Sequence, residues 1–211
     1  MIKFEHPEVW GWEHAIRGMR NPMNSWERSD TTYGLGEDYL TDMIIGQNDY
    51  DLMARLIKGG QPHRKFLRQI FVSVDITAPL YWWKEFDTYK VGTTANSCST
   101  MHKIQAKEFT LDDFSTEHLI GDCNILFDDI ITVLNSYREL YNKTKSKIHW
   151  WQMIQLLPSS YNQKRTVTMT YENLLNMLEY RRGHKLDEWR QFCEWIFTLP
   201  NSHILREGIK E

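Results

Sequence analysis

The run of alternating side chains at Phe66–Thr77 constrains the fold more than any other part of this sequence. Its β-branched residues share one side of the run: Ile70, Val72, Val74 and Ile76. A period of two over this length predicts a strand with one buried face. Ala78-Pro79 follows at once. Since proline has no N–H to lose in the first turn of a helix, we expect a helix over Leu80–Tyr89.

Helical periodicity dominates the rest of the chain. Apolar residues spaced three and four apart predict helices at Trp12–Arg20, Asp49–Lys58, Thr110–Lys143, Lys145–Leu157, Tyr171–Arg181 and Leu186–Thr198. Arg165–Thr170 is predicted to be a second strand, and Tyr39–Ile45 a short apolar segment that ends at Gly46. Few strands among many helices favour an α+β fold in a single domain over 1–211. We expect its ends, 1–10 and 200–211, to be loose.

Charge and cysteine content narrow the class of protein. With 25 Lys and Arg against 28 Asp and Glu, the net charge of −3 argues against nucleic acid or a membrane surface as partner. The three cysteines, Cys98, Cys123 and Cys193, show no CxxC spacing, which fits free thiols in a reducing cytoplasm. Cys123 and Cys193 lie on apolar helical faces and are expected in the core. No His, Cys and Asp set has zinc spacing, so we expect no metal.

A small, polar stretch, Gly92–Thr100, follows the predicted helix. Its side chains leave backbone N–H groups open, so it is suited to forming a nest for a phosphate. The alternative is a surface loop rich in turn-forming residues. Cys98 lies within it, and a thiolate that adds to a ligand needs a cation or a helix start nearby to lower its pKa. Composition favours the surface loop.

Several segments, taken in order, resemble the flavin-dependent thymidylate synthases. That family has a strand ending in Ala-Pro, a helix, and then the pattern RHRxxSxNxxSxR. Here Thr94, Asn96 and Ser99 fall on the Ser, Asn and Ser of that pattern. Further segments match it at Ala15–Arg20, His63, Leu157-Pro158, Asn173–Leu178 with Arg181, and Glu188-Trp189. The resemblance implies an α+β fold with a small, mostly antiparallel sheet flanked by long helices.

The sequence departs from the family at its charged positions. The Arg-His-Arg of the pattern falls on Tyr89, Lys90 and Val91. Its last arginine is Met101, the acidic residue after the asparagine is Ser97, and an arginine expected before Leu-Pro is Ile154. Each loss removes a permanently charged, bidentate donor that lysine or a hydroxyl does not replace.

The resemblance also implies a reaction. A reduced flavin and a folate methylene donor methylate dUMP at C5, and NADPH reduces the flavin, so the implied cofactor is FAD with NADPH and methylenetetrahydrofolate as co-substrates. Arg181 is implied as the catalytic residue that polarises the pyrimidine. The implied flavin ligands are His63, Lys90, Asn96, Asn173 and Asn176. The implied nucleotide ligands are Lys84, Glu85, Ser97, Cys98, Ser99, Thr100 and Arg181. Family members are homotetramers, and a cytoplasmic homotetramer is expected here.

Several of these residues also have a simpler, structural interpretation. His63 is equally well an exposed loop histidine, and Arg181 is favoured at a helix C-terminus by the helix dipole alone. Trp82-Trp83 and Trp150-Trp151 are expected in the core or at a subunit interface rather than as platforms for bases. The missing arginines motivate a second hypothesis, a non-catalytic nucleotide-binding or regulatory relative. A third is altered chemistry at pyrimidine C5 that uses Cys98.

Overall fold

Four strands and seven α-helices make up the regular part of the computed structural model, which describes residues 2–33 and 43–209. The strands are β1 (Lys3–Trp10), β2 (Phe71–Pro79), β3 (Thr94–Ser97) and β4 (Asn162–Thr170). The helices are α1 (Trp12–Arg20), α2 (Gln47–Lys58), α3 (Leu80–Phe86), α4 (Asp122–Thr144), α5 (Lys147–Leu156), α6 (Tyr171–Arg181) and α7 (Asp187–Ile196). Most of the predicted Tyr39–Ile45 segment lies outside the described residues.

The strands form one sheet in the order β1-β2-β4-β3. At one end of the central pair the Tyr171 amide donates to the Ile70 carbonyl, and at the other the Leu80 amide donates to the Tyr161 carbonyl. The residue numbers run in opposite directions along the two strands, so β2 and β4 are antiparallel. The predicted α+β fold with a small antiparallel sheet is confirmed.

The alternating run behaves as its pattern predicts. Ile70, Val72, Val74 and Ile76 are all at most 1% exposed. Two boundaries differ: residues Lys65–Gln69 form a 3-10 turn, and β2 continues through Pro79 instead of ending before it. Proline tolerates an extended backbone as readily as a first helical turn, so its presence did not decide between them. The following helix, α3, is shorter than predicted and ends at Phe86.

Contacts divide the described chain into two units, and β2 and β4 contribute residues to both. The first unit comprises residues 2–4, 76–88 and 96–166, and the second comprises 5–33, 43–75, 89–95 and 167–209. The single domain over 1–211 therefore stays a prediction.

In the first unit, α4 and α5 enclose a small aromatic core that contains Phe109, Phe114, Phe127, Leu134 and Met153. The predicted Thr110–Lys143 helix is shorter, because α4 begins only at Asp122. Cys123 is exposed, so its assignment to the core is wrong. It lies in the first turn of α4, directly after the exposed Ile120 and Gly121, where the apolar stripe has not yet reached the core.

In the second unit, α1, α2, α6 and α7 supply the core. Its largest buried side chains include Trp12, Met53, Tyr171, Trp189 and Phe192. Cys193 is buried as predicted.

Neither end of the chain is loose where the structure describes it, which corrects the prediction. Lys3–Trp10 pairs as an edge strand of the sheet. Ser202–Gly208 forms a 3-10 helix with Ile204 and Leu205 fully buried. Each apolar side chain removed from water stabilises the fold by about 1.5–3 kcal/mol, which outweighs the entropic tendency of an end to fray. No helix among the described residues is long and apolar enough to cross a membrane.

Candidate functional site: a polar cleft beside helix α6

Helix α6 begins with a capping box that fixes one of the implied flavin ligands. Thr170 is the N-cap, and its hydroxyl accepts a hydrogen bond from the Asn173 amide. The Asn173 side chain reciprocates, because Oδ1 accepts from the Thr170 backbone N–H at 3.0 Å. Its Nδ2 then donates to the Val91 carbonyl at 2.7 Å. Asn173 therefore ties the segment before β3 to the start of α6.

Gly92 is needed where this segment passes the helix. Its φ of +78° lies in the left-handed region, and a Cβ at that position would lie 3.1 Å from Asn173 Oδ1. A side chain there would push against the group that caps α6. Glycine thus permits both the backbone conformation and the close approach.

A buried ion pair involves Glu172, the residue before Asn173 in α6. Arg64 Nε is 3.0 Å from Glu172 Oε2 and donates a 3.2 Å hydrogen bond to Oε1. Arg64 Nη2 donates to Asn176 Oδ1 at 3.0 Å. The side chains of Arg64 and Glu172 are 8% and 6% exposed, so the two charges neutralise each other away from bulk water. The pair joins residues 108 positions apart in the chain.

Two cavities open beside this ion pair. The first, of about 630 Å³, includes Lys58, Arg64, Tyr89 and Asn176 in its lining. The second, of about 580 Å³, is lined by Gln61, Arg68, Phe71, Val91, Gly92, Thr170, Glu172, Asn173 and Asn176. Gln61 and Asn176 line both, whereas Arg64 lines only the first and Glu172 only the second. Both volumes are within the range of small-molecule sites. The two cavities together are called the cleft.

At the other end of α6, Arg181 is clamped by two aromatic rings. Its guanidinium carbon is 4.9 Å from the centre of the Trp189 ring and 5.6 Å from that of Tyr89. Arg181 Nε also donates a 2.9 Å hydrogen bond to the Tyr89 hydroxyl. Stacking and hydrogen bonding together orient the planar guanidinium, as a group that must present a fixed positive charge requires.

The small, polar stretch is not a phosphate nest in this structure. Residues Thr94–Ser97 form the exposed edge strand β3. The Cys98 amide donates to the Lys164 carbonyl, and the Ser99 hydroxyl accepts from the amides of Met101 and His102. The backbone of Thr94–Ser97 is thus extended rather than curved around an anion, and the Cys98 N–H is already used within the chain, which corrects the nest. Alternation of Thr, Ala, Asn and Ser was too weakly apolar to signal a strand.

A second cation lies near this stretch in the same unit. Arg165 packs its guanidinium 4.2 Å from the centre of the Trp83 ring and pairs with Asp87 at 2.7 Å. Arg165 Nε also donates to Gln163 Oε1, and Gln163 Nε2 donates to the Cys98 carbonyl at 2.7 Å. The network holds Cys98 through its backbone and places no cation on its thiol.

The fold can be compared with solved structures. It matches the flavin-dependent thymidylate synthase from Helicobacter pylori, complexed with FAD and dUMP, in two structures. Their TM-scores are 0.67 and 0.68 at 17% and 16% identity, over 99% and 100% of this chain and 99% of each of those chains. The chain has the fold of the flavin-dependent thymidylate synthases. It also matches a UMP/dUMP methylase from Streptomyces cacaoi bound with 5-Br dUMP, with a TM-score of 0.59 and 13% identity over 99% of this chain and 95% of that one.

The resemblance seen in the sequence thus holds for the thymidylate synthase fold. No protein-family profile and no curated protein matches the sequence itself.

Within this thymidylate synthase fold the implied ligands fall into two groups. In the second unit, Asn173 and Asn176 line one cavity together, whereas His63 and Lys90 are exposed beside residues of the cleft. In the first unit, the implied nucleotide ligands Lys84, Ser97, Cys98 and Ser99 are exposed, with Glu85 and Thr100 half-buried, and the implied flavin ligand Asn96 is exposed as well. Trp82 and Trp83 are buried as predicted, whereas Trp151 is 41% exposed.

The cleft residues that were not found from the sequence include Gln61, Arg64, Arg68 and Glu172. Arg64 looked like one more charge in an exposed loop, and Glu172 like one more acidic residue in the first turn of a helix. Only their mutual burial distinguishes them, and no local pattern encodes a pairing between such distant residues. No group of three His, Cys, Asp or Glu side chains suited to a metal occurs among residues 2–33 and 43–209.

Proposed function

We propose that this chain is an enzyme that binds FAD and a pyrimidine nucleotide and methylates dUMP, or a related nucleotide, at C5. Methylenetetrahydrofolate and NADPH would be its co-substrates. The observation that carries the proposal is the clamped Arg181 at one end of α6 and the donor-lined cleft along the same helix, within a fold whose solved relatives hold FAD and dUMP.

The residues of the cleft fit a flavin dinucleotide. A flavin ring carries carbonyl acceptors and ring nitrogens, and its dinucleotide form adds a pyrophosphate. Amide and guanidinium donors complement these groups, and the cleft has them in Gln61, Arg68 and Asn176, with Phe71 as an apolar surface. Asn176 keeps its Nδ2 group for a ligand, since its Oδ1 is the acceptor for Arg64. When bound, the flavin would supply the hydride chemistry.

Arg181 would supply the fixed charge that the substrate needs. Activation of a pyrimidine ring for attack from C5 develops negative charge on the ring oxygens, and a preoriented guanidinium stabilises that charge without reorganising. Tyr89 and Trp189 provide the orientation. Lys90 would contribute a further donor, and a homotetramer in the cytoplasm is proposed as the working form.

Absorption and turnover test the proposal. We expect purified protein to show the visible spectrum of oxidised flavin, or to gain it on incubation with FAD. We expect it to release tritium from C5 of labelled dUMP when the folate and NADPH are added. The Arg181→Gln variant should bind FAD but lose turnover, whereas Arg182→Gln, which changes an exposed neighbour, should retain it. Protein that takes up no flavin would contradict the proposal.

A non-catalytic nucleotide-binding relative is the second candidate. It is favoured by Tyr89 and Val91, which stand where the family has arginines. Calorimetric titration with dUMP, dTMP and FAD separates the two. Binding of a nucleotide with no turnover under any of these conditions would establish the second candidate.

A further inference from the structure

Glu172 is a buried carboxylate that receives too few hydrogen bonds. The residue is 5% exposed, and its described hydrogen bond is the one from Arg64 Nε to Oε1. Among residues 2–33 and 43–209, no donor forms a hydrogen bond with Oε2, although the charge of Arg64 lies 3.0 Å from it. An ionised carboxylate has about four acceptor positions, and leaving them empty away from water is costly.

The described hydrogen bonds of Arg64 do not include one to Oε2. Its Nε already lies between the two carboxylate oxygens, and its Nη2 is directed to Asn176. The amide of Asn173, one residue further along the helix, is committed to Thr170 and Val91. A group that enters the cleft can therefore provide the second donor for Glu172.

The lining of the cleft shows where that group would lie. Glu172 lines the cavity of about 580 Å³, and Arg64 does not. The ion pair thus turns its cation toward one cavity and its anion toward the other. Beside Glu172, the same cavity offers the donors of Arg68 and Gln61. A ligand that satisfies this lining has a hydrogen-bond donor close to an anionic or carbonyl-bearing part.

We propose that Glu172 accepts a hydrogen bond from a ribose hydroxyl of a bound nucleotide, while Arg68 and Gln61 contact its phosphate side. A sugar hydroxyl rotates freely to donate, and carboxylates are established partners of ribose hydroxyls in nucleotide sites. The imide N–H of a pyrimidine or flavin ring fits less well. Two carbonyl oxygens flank that N–H, and one of them would lie against the second carboxylate oxygen.

The inference rests on the proposed nucleotide binding, but it needs neither flavin chemistry nor turnover. The sugar belongs either to the adenosine half of a dinucleotide or to the pyrimidine nucleotide. The chemistry is the same in both, so the ligands used in the test must distinguish them.

Titration of the unmodified protein with two series of ligands tests the proposal. One series is AMP with its 2′-deoxy and 3′-deoxy forms, and the other is UMP with the corresponding two forms. We expect removal of one hydroxyl to weaken binding at least tenfold in one series, as the loss of a hydrogen bond to a charged group does. The affected series identifies the source of the sugar. No loss in either series, or no binding of AMP and UMP, overturns the proposal.

A Glu172→Gln variant assigns the effect to this side chain. In that variant the parent ligand should bind at least tenfold more weakly, and removal of the critical hydroxyl should have little further effect. Glu194→Gln, an acidic-to-amide change on α7, is the matched control and should retain the full hydroxyl dependence. A hydroxyl dependence that persists in Glu172→Gln overturns the proposal. Should that variant not fold, because Arg64 is left unpaired, the ligand series on the unmodified protein still decides.

The outcome is separable from that of the proposed enzyme activity. A protein that binds flavin and turns over dUMP without hydroxyl dependence would refute only the role of Glu172. A colourless protein that binds nucleotides through a ribose hydroxyl would refute only the enzyme activity.

Discussion

Arg181 and Tyr89 form a clamped pair in which the guanidinium donates a 2.9 Å hydrogen bond to the phenol oxygen and lies over the phenol ring. Tyr89 stands where the flavin-dependent thymidylate synthases begin their Arg-His-Arg motif. In this chain an aromatic hydroxyl therefore orients the arginine of another element, where the related sequences have a further cation. The charge of Arg181 is positioned by Tyr89 and Trp189.

This clamp leads to a prediction about turnover. Tyr89→Phe keeps the ring but removes the hydrogen bond, so we expect kcat for dUMP methylation to fall about tenfold because the guanidinium is no longer held in one orientation. The affinity for dUMP and the melting temperature should change little. In the Arg181→Gln background the same substitution should have no additional effect on kcat. An additive effect would show that Tyr89 acts independently of Arg181.

Substitutions of the two asparagines of α6 should have different effects, one mainly on the stability of the fold and the other mainly on FAD binding. Asn173→Ala removes half of the capping box and the bond to Val91, so we expect a loss of about 1–2 kcal/mol in the free energy of unfolding. Asn176→Ala should cost less stability but weaken FAD binding more. Chemical denaturation and flavin titration of both variants measure the two effects. Equal changes in both quantities for the two variants would contradict this division.

Asp49 should determine how the stability of the second unit decreases at acid pH. Burial alone would raise its pKa, but hydrogen bonds from Thr31, Ser29 and Arg20 outweigh burial and lower the pKa below its ordinary value of 3.8. The carboxylate is fully buried and lies 2.7 Å from Arg20 Nε. Because the folded-state pKa is depressed, its stabilising contribution is complete above pH 3.8 and is lost as the pH falls through the folded-state pKa.

Substitution of this residue tests that assignment. Asp49→Asn should lower the free energy of unfolding by about 3–5 kcal/mol at neutral pH, because it leaves the buried Arg20 without its counter-charge. The stability of the variant should also depend less on pH in the acid range. Asp51→Asn, an exposed change on the same helix, should alter stability by no more than about 0.5 kcal/mol. Denaturation over a pH series measures both.

The cysteines should differ in reactivity. Cys98 and Cys123 are exposed, whereas burial, with the neighbouring charge of Glu194, raises the pKa of Cys193 to about 11. A thiol with that pKa stays protonated at pH 8, and the thiolate is the reactive form. Alkylation of the native protein followed by mass spectrometry should label Cys98 and Cys123 and spare Cys193 until denaturant is added. Cys98→Ala should leave turnover unchanged, and a loss of turnover would support the cysteine-dependent chemistry.

Local sequence patterns were sufficient to predict those elements in which the apolar periodicity matches the face that is buried. The alternation around Val72 and Val74 predicted β2, and the bounds of α1 and α6 agree with the structure to the residue. In these segments the apolar face encountered along the chain is the face that packs against the core. Prediction was poorer where that agreement is absent, as at Cys123, which continues the stripe of α4 without reaching the core.

By itself, the sequence determined the α+β class, the central strand, most helices and the implied roles of Asn173, Asn176 and Arg181 as candidates. Only the tertiary structure decided that Arg64 and Glu172 meet, that Tyr89 and Trp189 clamp Arg181, and that the polar stretch at Thr94–Ser97 is an edge strand. The physical reason is the distance along the chain between the residues that interact. Periodicity records how one segment meets the core, whereas the pairing of buried charges depends on residues that the fold alone brings into contact.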